Sequence, residues 1–471
     1  MAKISINQRL IRFIPAIVPI IFWVLIWSKI LIVKPDGWFS TCSNCWGDWS
    51  AHLTYTSSFA YAHNWPLELP VYLGHKFTYP FVVDLISAGL VKLGLDLPAS
   101  LVWPGLIGSV ILTYLIYLLA KTFSQSHQVG GIATILFLFN GGWGSDSRFY
   151  NFITSQIIPQ RGQLLGLNLS IIVYLLLWRK KIIPAGIVAG LLPLMHAHSY
   201  LVTLMVGAWF GWRFWVPALA LGLPQIAYVY GFTAGHFFAW DPVWLKEWWR
   251  LGLVLPLFIY SWFKAPPKLK RFSVPFWLVF FAANLVRFQP YDWDNTKLFL
   301  HWYLIASISA AIVLVRWRLI GWLILPLLIF PGVRDVSKII QGNNQYQFFN
   351  PTQLIVAEAA RNILPKNAVV LTASNHNHWL PTLTGRQIVM GYPGWLWTYG
   401  IDYLPRQAEV IKMYQGNAEL LNQYEIDFVV IGPDEKNTFA DLNEAYFAAD
   451  FSLVFDQSGY KIFLLSTPGV D

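Results

Sequence analysis

Long apolar runs alternate with short basic turns through the first two-thirds of the chain. Residues 11–33, 99–120 and 298–315 are each long enough to cross a hydrocarbon core of about 30 Å. Further apolar runs lie at 128–142, 163–178, 182–195, 198–211, 214–231, 250–264, 273–288 and 318–332. Alternate turns hold Lys121; Arg179, Lys180 and Lys181; Arg213; Lys264, Lys268 and Arg271; and Arg316 with Arg318. Lys3, Arg9 and Arg12 belong to the same side, and an excess of Lys and Arg marks the cytoplasm. The pattern therefore predicts a polytopic α-helical membrane protein of about eleven spans, several of them short for a bilayer. The N-terminus is cytoplasmic and whatever follows the last span is outside. The first run lacks a small-residue cleavage pattern and reads as a retained helix. The short pair at 182–195 and 198–211, meeting near His196, also fits a re-entrant arrangement.

Two stretches break this rhythm. Residues 34–98 are too polar and Pro-rich to span, and form a long outer loop. Within it, 49–62 reads as a helix lying at the interface, with Leu53, Phe59 and Tyr61 toward lipid. The run FTYPFVVDLISAGLVKLG (77–94) reads as a second interfacial helix, because Asp84 and Lys92 interrupt it. From Arg334 onward the composition is that of a soluble domain. AVVLTAS (368–374), DFVVIG (427–432) and KIFLL (461–465) have the β-branched character of buried strands. Residues 405–414 and 418–424 have helical periodicity. The expected organisation is a membrane module over 1–333, carrying the outer loop 34–98, followed by an extracytoplasmic α/β domain over 334–471.

Composition agrees with this reading. Hydrophobic residues make up 56% of the 471 and charged residues 12%, against roughly 25% charged in a soluble domain. The formal charge of +9 does not imply nucleic acid, because the basic residues sit in turns and no groove-reading motif is present. The acids are more informative. Before residue 333 they are Asp36, Asp48, Glu68, Asp84, Asp96, Asp146, Asp241, Glu247, Asp292 and Asp294, and each falls on the outer side. Among the histidines only His127 falls inside. Charge topology rules say little about Asp or His, so this gathering points to an outward-facing polar site. Cys42 and Cys45 lie in the same compartment, spaced for a local disulfide, for a zinc site completed by His52 or His63, or as two thiols.

Four segments carry the candidate chemistry. In CWGDWSAHLTY (45–55), Asp48 reads as an N-cap whose carboxylate is thereby fixed, and His52 shares its helical face. In NGGWGSDSRFYNFITSQIIPQRG (140–162), Asp146 and Arg148 occupy the tip of a glycine-rich loop. Arg161 opens the next span, where the helix dipole prefers an anion, and its guanidinium suits a phosphate. In PLMHAHSYL (193–201), His196 and His198 lie at membrane depth, where ionisable groups are functional by default. In FQPYDWDNTKLFLHWY (288–303), Asp292, Asp294, Asn295 and Lys297 crowd the outer start of a span, with His301 one turn deeper. Snorkelling, capping and core packing are the structural alternatives at each place. NHNHW (375–379) pairs two histidines at a spacing that suits a metal.

An acid just after the first span, an interfacial helix, and a Tyr79-Pro80 helix leading to the second span resemble the GT-C class of membrane glycosyltransferases. IIPQRGQLLG, PLMHAHSYL and WDNTK are similar to segments of large bacterial and archaeal membrane proteins of unassigned activity. WLWTYGIDY (395–403) is similar to the WWDYG motif of oligosaccharyltransferase catalytic subunits, with Thr398 where that motif has Asp. The resemblance implies an essential acid in the first outer loop, matched by Asp48, and a second-loop acid, matched by Asp146. It implies a polyprenyl-phosphate-linked sugar donor and a glycan, lipid or protein acceptor, with a divalent metal ion as a possible cofactor. Asp48 is followed by Trp49, where many members carry paired acids. The substrate- and phosphate-binding residues expected are His52, Arg148, Arg161, His196, His198, Asp292, Asp294 and Lys297. The function expected is sugar transfer on the outer face of the cytoplasmic membrane. A transporter or flippase for a lipid-linked glycan, and a non-catalytic envelope scaffold, are the rival readings.

Overall fold

A computed structural model of the chain describes residues 6–42, 44–144, 147–229, 238–343 and 345–465. Among the described residues, thirteen α-helices precede the last third: Ile6–Trp27 (α1), Cys45–Tyr61 (α2), Val82–Lys92 (α3), Leu97–Ser124 (α4), His127–Leu138 (α5), Arg161–Trp178 (α6), Ile182–Gly190 (α7), Ala197–Gly207 (α8), Trp212–Val229 (α9), Val254–Lys264 (α10), Pro267–Leu285 (α11), Thr296–Arg316 (α12) and Leu319–Gln341 (α13). Then come Pro351–Ile363 (α14), Trp379–Thr384 (α15), Pro393–Thr398 (α16), Leu404–Tyr414 (α17), Ala418–Gln423 (α18), Pro433–Thr438 (α19) and Glu444–Asp450 (α20). The chain divides into two compact units. The first holds Met1–Leu31, Thr41–Asn44 and Val102–Gln345; the second holds Ile32–Ser40, Cys45–Leu101 and Tyr346–Asp471.

In the first unit, α4, α6, α12 with its preceding turn, and α13 are long and apolar enough to cross a membrane. They differ in surroundings. The apolar window of α12 is 94% buried, whereas those of α4 and α13 are 33% buried. A helix apolar and buried all round is a bundle core, and one exposed along an apolar face presents that face to lipid. The run 182–195 is broken. Its helix α7 stops at Gly190, and Pro193, which has no N–H to donate, separates it from α8. Nine residues rise only about 14 Å, so α7 alone is too short to cross. The start of α8 instead rests on α6. A Cβ at Gly166 would lie 2.6 Å from His196 Cβ, and one at Gly162 would lie 2.7 Å from the Met195 carbonyl oxygen. The R-G-Q-L-L-G spacing thus makes a flat helix face that seats His196.

In the second unit, Val369–Leu371 (the sixth strand in chain order) is parallel to both neighbours, Gln387–Ile388 and Phe428–Ile431. Tyr460–Leu464 and Ser452–Gln457 extend this five-stranded sheet antiparallel. All three strands read from β-branched runs are present, as are the two helices at 404–414 and 418–423. A second sheet joins Ile32–Lys34, Gly37–Ser40 and Tyr346–Phe349.

The expectation that 49–62 lies at a membrane interface is corrected. Helix α2 packs against α3 and α15, and Leu53 and Phe59 are buried within this unit. Ser50, Thr54, Ser57 and Ser58 make that burial possible by donating their hydroxyls to backbone carbonyls. Thr54 contacts Thr382 Oγ1 at 3.1 Å, and Ser57 donates to the Thr382 carbonyl at 2.8 Å. Gly385, at φ +72°, ends α15 so closely against α2 that a Cβ would lie 2.3 Å from the Ser57 carbonyl oxygen. Any side chain at 385 would clash as well as strain the backbone.

Candidate active site

Helix α2 positions the first group. It begins at Cys45, so Asp48 lies in its first turn and is not the cap residue ahead of it; Trp46 and Gly47 are already helical. The half-buried carboxylate still lies near the positive end of the helix dipole. Positions 48, 52 and 55 share one face. His52 does not stand alone on it. Its Nδ1 lies 2.9 and 3.0 Å from the two carboxylate oxygens of Asp84, and both residues are almost fully buried. A carboxylate on one ring nitrogen fixes the imidazole's orientation.

Tyrosines complete this face. The Tyr55 and Tyr399 hydroxyls are 2.5 Å apart, and the Tyr79 ring lies 6.0 Å from His52 and 5.7 Å from Tyr399. Burial pushes the Tyr399 phenol well up; Tyr55 and then the carboxylates of Asp48 and Asp84 push it the same way. It therefore stays protonated. Asp84 and Tyr399 were not candidates on sequence grounds. A lone Asp inside VVDLISAGL was the available signal, since a buried carboxylate needs a partner.

The first unit holds the cations and imidazoles. Arg148 pairs with Asp292 at 2.6 Å and lies over the Trp244 ring. Lys297 pairs with Asp294 at 3.1 Å, one turn back. Two expected phosphate ligands thus each hold one of the expected acids. Asn295 does not cap α12 with its side chain; it donates to the Ala283 and Val286 carbonyls and ties down the preceding loop. Arg161 is the first residue of α6 and is buried. Asp146 lies outside the described residues.

His196 is the N-cap of α8. Its Nδ1 accepts the Ser199 amide hydrogen at 3.2 Å, so the ring hydrogen is on Nε2, which has no partner among the described residues. The His198 ring lies 5.1 Å away, and its buried Nε2 also has no partner there. His301 receives or donates a 2.8 Å hydrogen bond at Nδ1 from the Tyr174 hydroxyl, and its Nε2 is again unpartnered. Both amide atoms of the buried Gln163 are in the same state. Buried polar atoms are ordinarily satisfied, so these four side chains are candidates for contact with a polar ligand.

Among the described residues, no group of three or more His, Cys, Asp or Glu side chains is arranged to hold a metal ion. Cys42 and Cys45 are disulfide-bonded, which removes the zinc alternative. His378 is occupied too. Its Nδ1 accepts the Leu380 amide hydrogen, and its Nε2 lies 2.7 Å from Glu435, a carboxylate brought from 57 residues away.

No protein-family model matches the chain, and no curated protein matches it. Solved structures share its fold, two of them over most of this chain. One is an oligosaccharyltransferase from Archaeoglobus fulgidus, tethered to an acceptor peptide with an NVT sequon; it is 12% identical, with a TM-score of 0.50 over 89% of this chain and 69% of that one. The other is ArnT from Cupriavidus metallidurans in the apo state; it is 10% identical, with a TM-score of 0.53 over 97% of this chain and 98% of that one. Both belong to the GT-C class of glycosyltransferases, and the chain has that membrane-protein fold.

Proposed function

We propose that the chain is a membrane glycosyltransferase that moves a sugar from a polyprenyl-phosphate-linked donor to an acceptor on the outer face of the cytoplasmic membrane. The observation that carries this reading is the Asp48–His52 face of α2, with His52 held by the buried Asp84, in a chain of GT-C fold. The proposed topology keeps the N-terminus cytoplasmic, crosses the bilayer several times without counting the short α7 as a crossing, and leaves the segment from Arg334 onward outside.

In this reading the acceptor's heteroatom attacks the anomeric carbon while the bond from that carbon to the phosphate oxygen breaks. The departing lipid phosphate takes the electron pair. A carboxylate receives the acceptor's proton, which is the role of Asp48. His52 acts beside it, in the orientation Asp84 fixes. Within the first unit, Arg161, Lys297 and the Nε2–H of His196 are the preorganised donors we assign to a phosphate. The described residues do not assemble a metal site, and no step here runs through one.

Two substitutions test the assignments. Asp84→Asn keeps the side chain's shape but loses the carboxylate that orients His52. Transfer is expected to fall roughly 10–100-fold. An unchanged rate would reduce Asp84 to packing. His196→Asn keeps a residue able to cap α8 while removing the Nε2–H. Affinity for polyprenyl phosphate in nanodiscs is expected to fall by about tenfold or more, the equivalent of one hydrogen bond to a charged group. Equal affinity would remove His196 from the phosphate site.

A further inference from the structure

One turn of α2 carries a second feature. Trp46 is two residues ahead of Asp48 and is 48% exposed, although the helix beyond it is buried. Its ring meets His376 at 4.3 Å between centroids. His376 in turn meets Tyr392 at 4.8 Å and Trp395 at 5.1 Å, and those two rings are 5.7 Å apart. Each of the last three is half-buried, so the four rings form a partly open aromatic wall. Two glycines keep it open. Residue 47 has no side chain to cover the imidazole edge, and a Cβ at Gly394 would lie 2.4 Å from the Tyr392 ring.

The wall has a polar rim. His376 Nδ1 donates to Asn377 Oδ1 at 2.6 Å, and the same oxygen accepts from the Ser50 hydroxyl. Burial holds the His376 ring below its ordinary pKa, so near neutrality it offers a neutral imidazole. An aromatic face carries partial negative charge, and the axial C–H groups of a pyranose carry partial positive charge. Around the sugar's edge, hydroxyls need donors and acceptors. A lipid chain would want the rings without the rim, and a phosphate would want cations, which the four rings and their rim lack.

We propose that Trp46, His376, Tyr392 and Trp395 form a carbohydrate subsite that stacks one pyranose ring beside the Asp48 turn of α2. This rests on the glycosyltransferase reading and deepens it by naming the ring contacts of the sugar-bearing substrate, in donor or acceptor. NHNHW, whose spacing alone suits a metal, contributes His376 to sugar contact and His378 to the fold.

The test is saturation-transfer NMR on the full chain in detergent, with methyl glycopyranosides as probes. The wild type should saturate the axial C–H protons of at least one probe. Trp46→Leu and Trp395→Leu should weaken that binding by roughly tenfold, the worth of one aromatic stacking contact, and Trp46→Phe should retain most of it. Trp46→Leu should also raise KM for the sugar-bearing substrate far more than it lowers kcat. Displacement of the probe by a polyprenyl-phosphate sugar, but not by polyprenyl phosphate, places the donor's ring on the wall. Displacement by a glycan acceptor places the acceptor's. No probe binding in the wild type, or binding indifferent to both leucine variants, overturns the subsite. Asp48→Asn separates the two ideas, since it should keep probe binding whether or not the chain transfers sugar.

Discussion

Asp48→Asn is expected to lower sugar transfer by roughly a hundredfold to ten-thousandfold, the range for loss of a positioned general base. The substitution keeps the size of the side chain and its place in the first turn of α2. Asn accepts hydrogen bonds there nearly as Asp does, so folding should change little. The check is the rate with a lipid-linked sugar donor, alongside thermal unfolding of wild type and variant. Equal rates would show that the carboxylate serves only the helix dipole.

The second large effect concerns stability. Glu435 is fully buried in the second unit and accepts from the Ala373 and Gly432 amides as well as meeting His378. Burial alone would raise its pKa, but His378 and the backbone amides together bring it below the ordinary glutamate value. A depressed native pKa contributes stability that is present above the unfolded-state value and is lost as pH falls through the native one. The wild-type unfolding midpoint should therefore fall steeply only on the acid side of the usual glutamate range. Glu435→Ala should destabilise the unit by about 3–5 kcal/mol at neutral pH, because it strands three buried donors at once. Glu435→Gln should flatten the acid limb. A variant as stable as wild type from neutral pH down to that range would contradict this role.

Much of the fold was legible because it rests on local chemistry. The apolar runs gave α4, α6 and α12 nearly to their ends, and the β-branched runs gave three strands of the five-stranded sheet. Helix α2 was misplaced because its surroundings are long-range. Its amphipathicity is weak, and only α3 and α15 reveal that Leu53 and Phe59 are core residues. The site shows the same division. Asp48 and His52, four apart, could be read from helical spacing; their partner Asp84 is 32 residues from His52 and could not. Arg148 and Lys297 were legible as cations, but spacing did not reveal that Asp292 and Asp294 engage them. The glycines of R-G-Q-L-L-G had no evident purpose in the sequence, and acquire one only when the start of α8 lies against them.

The central claim is chemical: a sugar leaves its lipid phosphate and joins another molecule. Its most direct test follows a radiolabelled sugar on polyprenyl phosphate, mixed with the purified chain and a membrane extract as the source of acceptor. The label should leave the donor and appear on a different species with wild type, with unlabelled polyprenyl phosphate released in equal amount, and should stay on the donor with Asp48→Asn. Label that remains on the original lipid with both proteins, or merely changes leaflet when they are reconstituted in vesicles, would contradict it.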